Sequence, residues 1–304
     1  MLIEAKLPFH YLFNQVKWDV ARVVLFSLAF VILKTYVADY LPPVPVQLPT
    51  IMGSFISLLL AFNMNQSYDR WWEARRVWGA IVNDSRTWVL QLRQFIDGEQ
   101  LLTTDGAEPA LRRMARRQIA WCYSLAQSLR GLSGTEGLED LLSPAERAAL
   151  EPHRNRPLAL LAGHADDLHR LRQARAINAY QQVQLDNTLV RLCESMGQAE
   201  RIKSTVFPVA YRLFIHLFIY LFLIILSLGL VEEVGLLEIP ALTVVASAFF
   251  LLEKTARYLQ DPFSNKPTDT PVSAISRTIE INLRQLLQET EVPQPLAPEK
   301  YYLM

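Results

Sequence analysis

The chain has 304 residues, with thirty basic and thirty acidic side chains and a hydrophobic content of 51%; its mean hydropathy is slightly positive. Balanced charge gives no support to a nucleic-acid partner or an acidic tail. The two cysteines, Cys122 and Cys193, form no CxxC pattern, so neither a disulfide framework nor a zinc site is expected. The apolar content is high for a water-soluble protein and low for one lying wholly in lipid, which predicts a chain partly in bilayer and partly in water.

The N-terminus, with Glu4, Lys6 and Pro8, lacks the short apolar core and small-residue cleavage site of a signal peptide. Four apolar regions follow, two near each end. The first is Val23 to Leu33, extending to Ala38 if Lys34 snorkels to an interface. The second, Val44 to Tyr68, has no charge and is opened by Pro42, Pro43, Pro45 and Pro49. The third is Phe207 to Val231 and the fourth Ile239 to Leu252. A bilayer core asks for roughly 17–25 helical residues. Only the second region meets that without help; the third does so if Arg212 and His216 face protein or water.

A soluble helical core would show similar runs, but charge asymmetry favours the membrane. Lys6, Lys17 and Arg22 precede the first region, and the long middle segment is rich in Arg. Between the third and fourth regions lies Glu232-Glu-Val-Gly-Leu-Leu-Glu238, with no base, and between the first and second the only base is Lys34. Four crossings, with both termini and the middle segment cytoplasmic, satisfy the positive-inside rule at every loop. The expectation is a multi-pass protein of the cell membrane. Its segments are residues 1–65 (N-terminal segment and two spans), 66–206 (cytosolic helices), 207–258 (two more spans) and 259–304 (cytosolic helix and tail).

Between residues 66 and 206 the sequence reads as helix. Ser143-Pro-Ala-Glu146 is a helix start, with a capping Ser, Pro at the first position and Glu at the third. From Leu171 to Ile202 apolar residues recur at helical spacing, broken only by Gly197. His164-Ala-Asp-Asp-Leu-His169 is the one metal-like cluster, but its histidines are five apart, off the spacing of a helical pair, so a solvated helix face is expected there. A further helix is expected from about Val272 to Leu287. Glycine-rich phosphate loops, nucleophile elbows and paired catalytic carboxylates are absent, and no cofactor is expected.

Tyr68-Asp-Arg-Trp-Trp-Glu-Ala-Arg-Arg-Val-Trp-Gly sits directly after the uncharged second region. Nothing from Ser54 to Phe95 breaks a helix except Gly79, so one helix can leave the bilayer and continue into the cytosol. Arg70, Trp71, Trp72 and Glu73 then form a collar at the interface, with Trp78 at or just inside headgroup level and Glu73 placed to pair with Arg76. The run Tyr68-Asp-Arg-Trp-Trp-Glu-Ala-Arg followed by Trp78-Gly resembles the signature of the bestrophin family, in particular its bacterial and plant-type branch. Asp261-Pro-Phe263 and Arg277-Thr-Ile-Glu-Ile-Asn-Leu283 match the same branch, so the resemblance spans nearly the whole chain.

The resemblance implies an all-α membrane protein with four transmembrane helices and a large cytosolic helical domain. It also implies a homopentamer, lipid as a partner, and passive passage of small inorganic ions rather than enzymatic turnover. Counting back from the Trp pair puts the family's pore neck at Ser54, Leu58 and Phe62, with Asn65 and Asp69 in the vestibule just inside. Positions 54, 58, 62, 65 and 69 share one helix face. Stacked apolar rings there would gate by excluding water; Ser54 is more polar than the outermost ring is expected to be. The family's cytosolic constriction falls at Tyr180, or at Ile177 or Val183 if the count carries a gap. Family breadth favours chloride and other anions, though the fold also implies a monovalent cation channel as an alternative. Animal members bind Ca²⁺ through an acidic run after the Asn/Asp-Pro-Phe motif. Here Asp261-Pro-Phe-Ser-Asn-Lys-Pro-Thr-Asp269 lacks that run, and Asp261 and Asp269 are expected as turn and cap residues. The rival from another class is a membrane-anchored, metal-dependent helical enzyme using the His164–His169 cluster.

Overall fold

The computed structural model describes residues 1, 8–37, 44–45, 47–96, 109–205, 208–230, 237–299 and 301–303. The expectations at Lys6, Pro42, Pro43, Glu232 and Glu233, and at the region ends Ala38, Phe207 and Val231, lie outside these residues. Among the described residues the regular structure is helical: α1 Phe9–Val37, α2 Gln47–Phe95, α3 Ala110–Leu129, α4 Pro144–Leu150, α5 Arg156–Gln173, α6 Ala179–Ser204, α7 Val209–Gly229, α8 Glu238–Gln260 and α9 Val272–Leu286. Two compact units result: Ala5–Trp71 with Val206–Asp261, and Met1–Glu4 with Trp72–Thr205 and Pro262–Met304.

The first unit holds the apolar helices. Three helices among the described residues are long and apolar enough to cross a membrane: Gln47–Phe95, Ala210–Gly229 and Glu238–Gln260. The fourth apolar region of the sequence is therefore longer as a helix than as a hydropathy run, because Glu238, Glu253 and Lys254 are carried inside α8. α1 packs along α8. Val16 and Val23 of α1, Ile56 and Leu60 of α2, Ile215, Ile219 and Phe222 of α7, and Leu242, Ala246 and Phe250 of α8 interlock as one core. Gly53 is where α2 meets α7, since a Cβ there would lie 3.2 Å from a ring carbon of Phe222.

The second unit is built on α3, whose period of buried residues (Met114, Gln118, Trp121, Leu125, Leu129) reflects an amphipathic helix. It packs against α5 and α9. The C-terminal half of α2 adds Trp78, Ile81, Trp88 and Leu92 to this core, all fully buried or nearly so. Burying side chains of this size contributes about 1.5–3 kcal/mol each. Trp78 is thus a core residue and not a headgroup anchor, which corrects the sequence expectation: the helix face that turns Ala74 inward also turns residues 78, 81 and 85 inward.

Ser143 does cap α4. Its side chain accepts from the Glu146 amide, and the Glu146 carboxylate accepts from the Ser143 amide. The stretch from Leu171 to Ile202 is not one helix broken at Gly197. α5 ends at Gln173, Arg175 takes φ 58°, and α6 restarts behind a second capping box made by Asn178 and Gln181. Gly197 lies inside α6 with open space where a Cβ would be, so nothing breaks there.

Candidate functional site

Within α2 the residues of the apolar unit divide into two faces. Ile56, Leu60, Asn63 and Ser67 are buried, and Asn63 accepts a hydrogen bond from Gln260 Nε2 at 2.9 Å. Ser54, Leu58, Phe62, Asn65 and Asp69 are exposed, Leu58 by 55% and Phe62 by 56%. At 3.6 residues per turn these five positions fall within an arc of roughly 80° on the side opposite the buried stripe. Two large apolar side chains sit on a helix face that the chain's own core does not cover. The Ser54 hydroxyl donates to the Thr50 carbonyl at 2.9 Å, so the most polar member of the outer three is satisfied by its own helix. Ser57 does the same with Gly53 at 2.8 Å.

The expected collar separates into different environments. Tyr68 and Trp71 stack with ring centroids 6.1 Å apart. Trp72 is 46% exposed, and Arg70 is half-buried. Glu73 accepts from Arg201 Nη2 of α6 at 2.8 Å, so its ion-pair partner is Arg201 and not Arg76. The contact from α6 comes from 128 residues along the chain, which spacing along α2 cannot reveal.

Tyr180, the second residue of α6, is 86% exposed. Val183, one turn on, is 56% exposed, whereas Ile177 is buried in the core of its unit. Ile177 therefore cannot present its side chain to solvent, and that alternative position is withdrawn.

The His164–His169 cluster is not a solvated face. His164 is fully buried, its ring 5.0 Å from the Trp88 ring in an edge-on contact. Burial, and then the nearby Arg117 charge, hold its pKa well below the usual value of 6.5. His169 points outward and bonds Gln173. Asp167 is committed to Arg117 (2.6 Å) and Arg113 (3.0 Å), and Arg117 also grips Glu146 (2.6 Å) and the Gly163 carbonyl (2.7 Å). These side chains cross-link α3, α4 and α5, and among the described residues no three His, Cys, Asp or Glu side chains converge as metal ligands.

The stretch from Asp261 to Asp269 assembles no set of calcium ligands among the described residues. Asp261 ends α8, and Asp269 closes a turn through its amide to the Lys266 carbonyl at 3.0 Å. Asp269 is fully buried, and burial raises its carboxyl pKa against the pull of the turn amides and Arg130. One buried carboxyl does not supply the six or more oxygens a calcium ion takes.

The pairings of several ionisable residues inside the apolar unit escaped the sequence reading. Lys34 does not snorkel: it is 6% exposed and donates to both oxygens of Glu238 at 2.8 Å each, and to the Ser227 carbonyl. Ser227 in turn donates to Glu238. Lys254 pairs with Asp19, which also accepts from Arg22 at 3.1 Å. His216 lies 3.4 Å from Glu253, so it faces protein as its place in an apolar helix requires. The available signal was that isolated charges within apolar runs imply partners; spacing alone did not say which.

A family model described as bacterial/fungal bestrophin protein matches residues 11–285. A voltage-dependent anion channel-forming protein of Nostoc sp. is 30% identical over 248 residues, covering 80% of this chain and 79% of that one. One of the same description from Escherichia coli K12 is 29% identical over 254 residues, covering 83% of this chain and 80% of that one. The crystal structure of a bacterial bestrophin homologue from Klebsiella pneumoniae superposes with a TM-score of 0.82 at 26% identity, covering 91% of this chain and all of the other.

Proposed function

The chain belongs to the bacterial and fungal bestrophin family, and from that premise we propose that it is an ion channel of the cell membrane that passes small inorganic anions, chloride first among them, through an apolar neck. Relatives that bear the description of anion channel-forming proteins support the sign of the ion. The observation that carries the neck is the uncovered face of α2, where Ser54, Leu58, Phe62, Asn65 and Asp69 lie opposite the buried stripe. Five copies of the chain, each contributing this helix, would stack Leu58 and Phe62 into two apolar rings. An ion passing them sheds water and finds no polar replacement, so the rings set the barrier.

In this reading α1 is a span too, the first of four, with its Lys34 and Asp19 paired to Glu238 and Lys254 of α8, and both termini lie on the cytoplasmic side with the Arg-rich helices. Asn65 and Asp69 line the vestibule. Arg70, Trp71, Trp72 and Glu73 mark the level where α2 leaves the lipid. Tyr180 is the cytosolic constriction, with Val183 as the alternative one turn away, and its 86% exposure in the single chain leaves the phenol available to a lumen.

A second reading, a monovalent cation channel on the same fold, is favoured by one observation: the exposed carboxylate on the neck face is Asp69, with Asn65 above it. Liposome flux and planar-bilayer recording test both. Leu58→Ala and Phe62→Ala are each expected to raise flux, and flux unchanged by both removes the neck. Under a chloride salt gradient the reversal potential should lie toward the chloride equilibrium potential; a value on the cation side replaces the anion reading with the second one.

A further inference from the structure

Several arginines of the α3-centred unit are matched to carboxylates: Arg113 and Arg117 to Asp167, Arg116 and Arg284 to Glu289, Arg191 to Asp84. The cleft between α2 and α9 holds two arginines with no such match among the described residues. It has a volume of about 510 Å³ and is lined by Arg86, Leu90 and Arg93 of α2, and Asn282, Gln285, Leu286 and Gln288 at the end of α9. No carboxylate is among these residues. Arg86 is fixed by a neutral partner: its Nε and Nη2 both donate to Asn282 Oδ1, at 3.0 and 2.6 Å. That bond uses the amide oxygen and leaves the Asn282 NH₂ and Arg86 Nη1 as donors. Arg93, exposed one turn beyond Leu90, has no ion-pair partner among the described residues. Residues 86, 90 and 93 share one face of α2, as the spacing of four and three requires.

We propose that this cleft is a binding site for an organic anion, a carboxylate or phosphate group carried on a short apolar stem. The two guanidiniums and the carboxamides supply charge-assisted donors, and a guanidinium held in place loses less freedom on binding an oxyanion fork than a mobile one. Leu90, half exposed, and Leu286 supply an apolar wall beside them. A lone surface arginine is ordinarily just solvated; here a fixed guanidinium, a second unmatched one and three amide side chains line one concavity with no acid among its described lining residues. The site is separate from the α2 face assigned to conduction, and its test does not pass through conduction.

The purified full chain in detergent is titrated with sodium hexanoate and, separately, with inorganic phosphate, by calorimetry at constant ionic strength with chloride as background. Millimolar hexanoate is expected to bind, about tenfold more weakly to Arg93→Gln, with partial recovery in Arg93→Lys. Leu90→Asn should weaken hexanoate while leaving any phosphate binding unchanged. Three results overturn the proposal: no hexanoate binding to the wild type, equal affinity in Arg93→Gln, or binding of phosphate alone. Thermal unfolding of each variant beside the wild type separates loss of the site from loss of the fold.

Discussion

At the scale of single residues, Lys34 and Glu238 define how the apolar unit tolerates charge. Both are almost fully buried and joined by two contacts of 2.8 Å. Removing one partner leaves the other charge without water or counter-ion, at a cost of about 3–5 kcal/mol, whereas replacing both by apolar side chains of similar volume is close to neutral. Lys34→Met should therefore lower the unfolding midpoint in detergent sharply, and the double variant Lys34→Met/Glu238→Met should recover most of the loss. His164 makes a pH prediction. In the unfolded chain it takes up a proton near its ordinary 6.5, while in the folded chain burial and Arg117 keep it neutral to much lower pH. Below 6.5 the unfolded state binds the extra proton, so stability is intact above that value and falls as the pH drops beneath it, by up to about 1.4 kcal/mol per unit. Denaturant midpoints measured between pH 7 and 5 should show this slope, and His164→Phe, which keeps a ring against Trp88 and cannot titrate, should flatten it.

At the scale of elements, local chemistry was legible where a helix end carries its own signal. Ser143-Pro-Ala-Glu146 announced α4, and the capping box is present. Asn178-Ala-Tyr-Gln181 carries an equivalent signal, and the break it marks between α5 and α6 was hidden by an apolar period that continues across it. Asn178→Ala should cost about 1 kcal/mol through the lost cap, measured as a shift in thermal midpoint, and should fray the turn that carries Tyr180. The unbroken α2 was legible because no proline beyond Pro49 in its first turn and no β-branched run interrupts it, and it runs from Gln47 to Phe95. What spacing did not reveal is which turn of that helix faces which surroundings. Trp72 is half exposed and Trp78 is sealed in a core, six residues apart on one helix with the same side chain. Glu73 likewise chose a partner 128 residues away over one three residues away. Pairings of this kind are tertiary and leave no periodicity to read. The family resemblance supplied the neck positions; the residues alone supplied only that they share a face.

At the scale of the whole molecule, the proposed assembly follows from surface that a single chain leaves unused. Leu58, Phe62 and Tyr180 are large side chains exposed in the lone chain, and a ring of five copies turns the first two into a barrier. Native mass spectrometry of protein extracted in mild detergent should give a mass of five chains, and a monomer there removes the rings with it. The lysine clamp has a consequence of another kind. In the four-span arrangement, the first span carries an ammonium whose carboxylate partner among the described residues is some two hundred residues downstream, at the start of the last span. Until that residue leaves the ribosome, the lysine in the last turn of α1 lacks its counter-ion, which penalises insertion; at a helix centre the cost would be about 2.5–3.5 kcal/mol or more, and it falls toward the helix end. The four-span arrangement thus predicts an order of biogenesis: α1 stays loosely held, or shielded by the insertion machinery, until α8 arrives to seat it. A nascent chain arrested before residue 238 should leave its first span extractable, and one arrested after α8 should not.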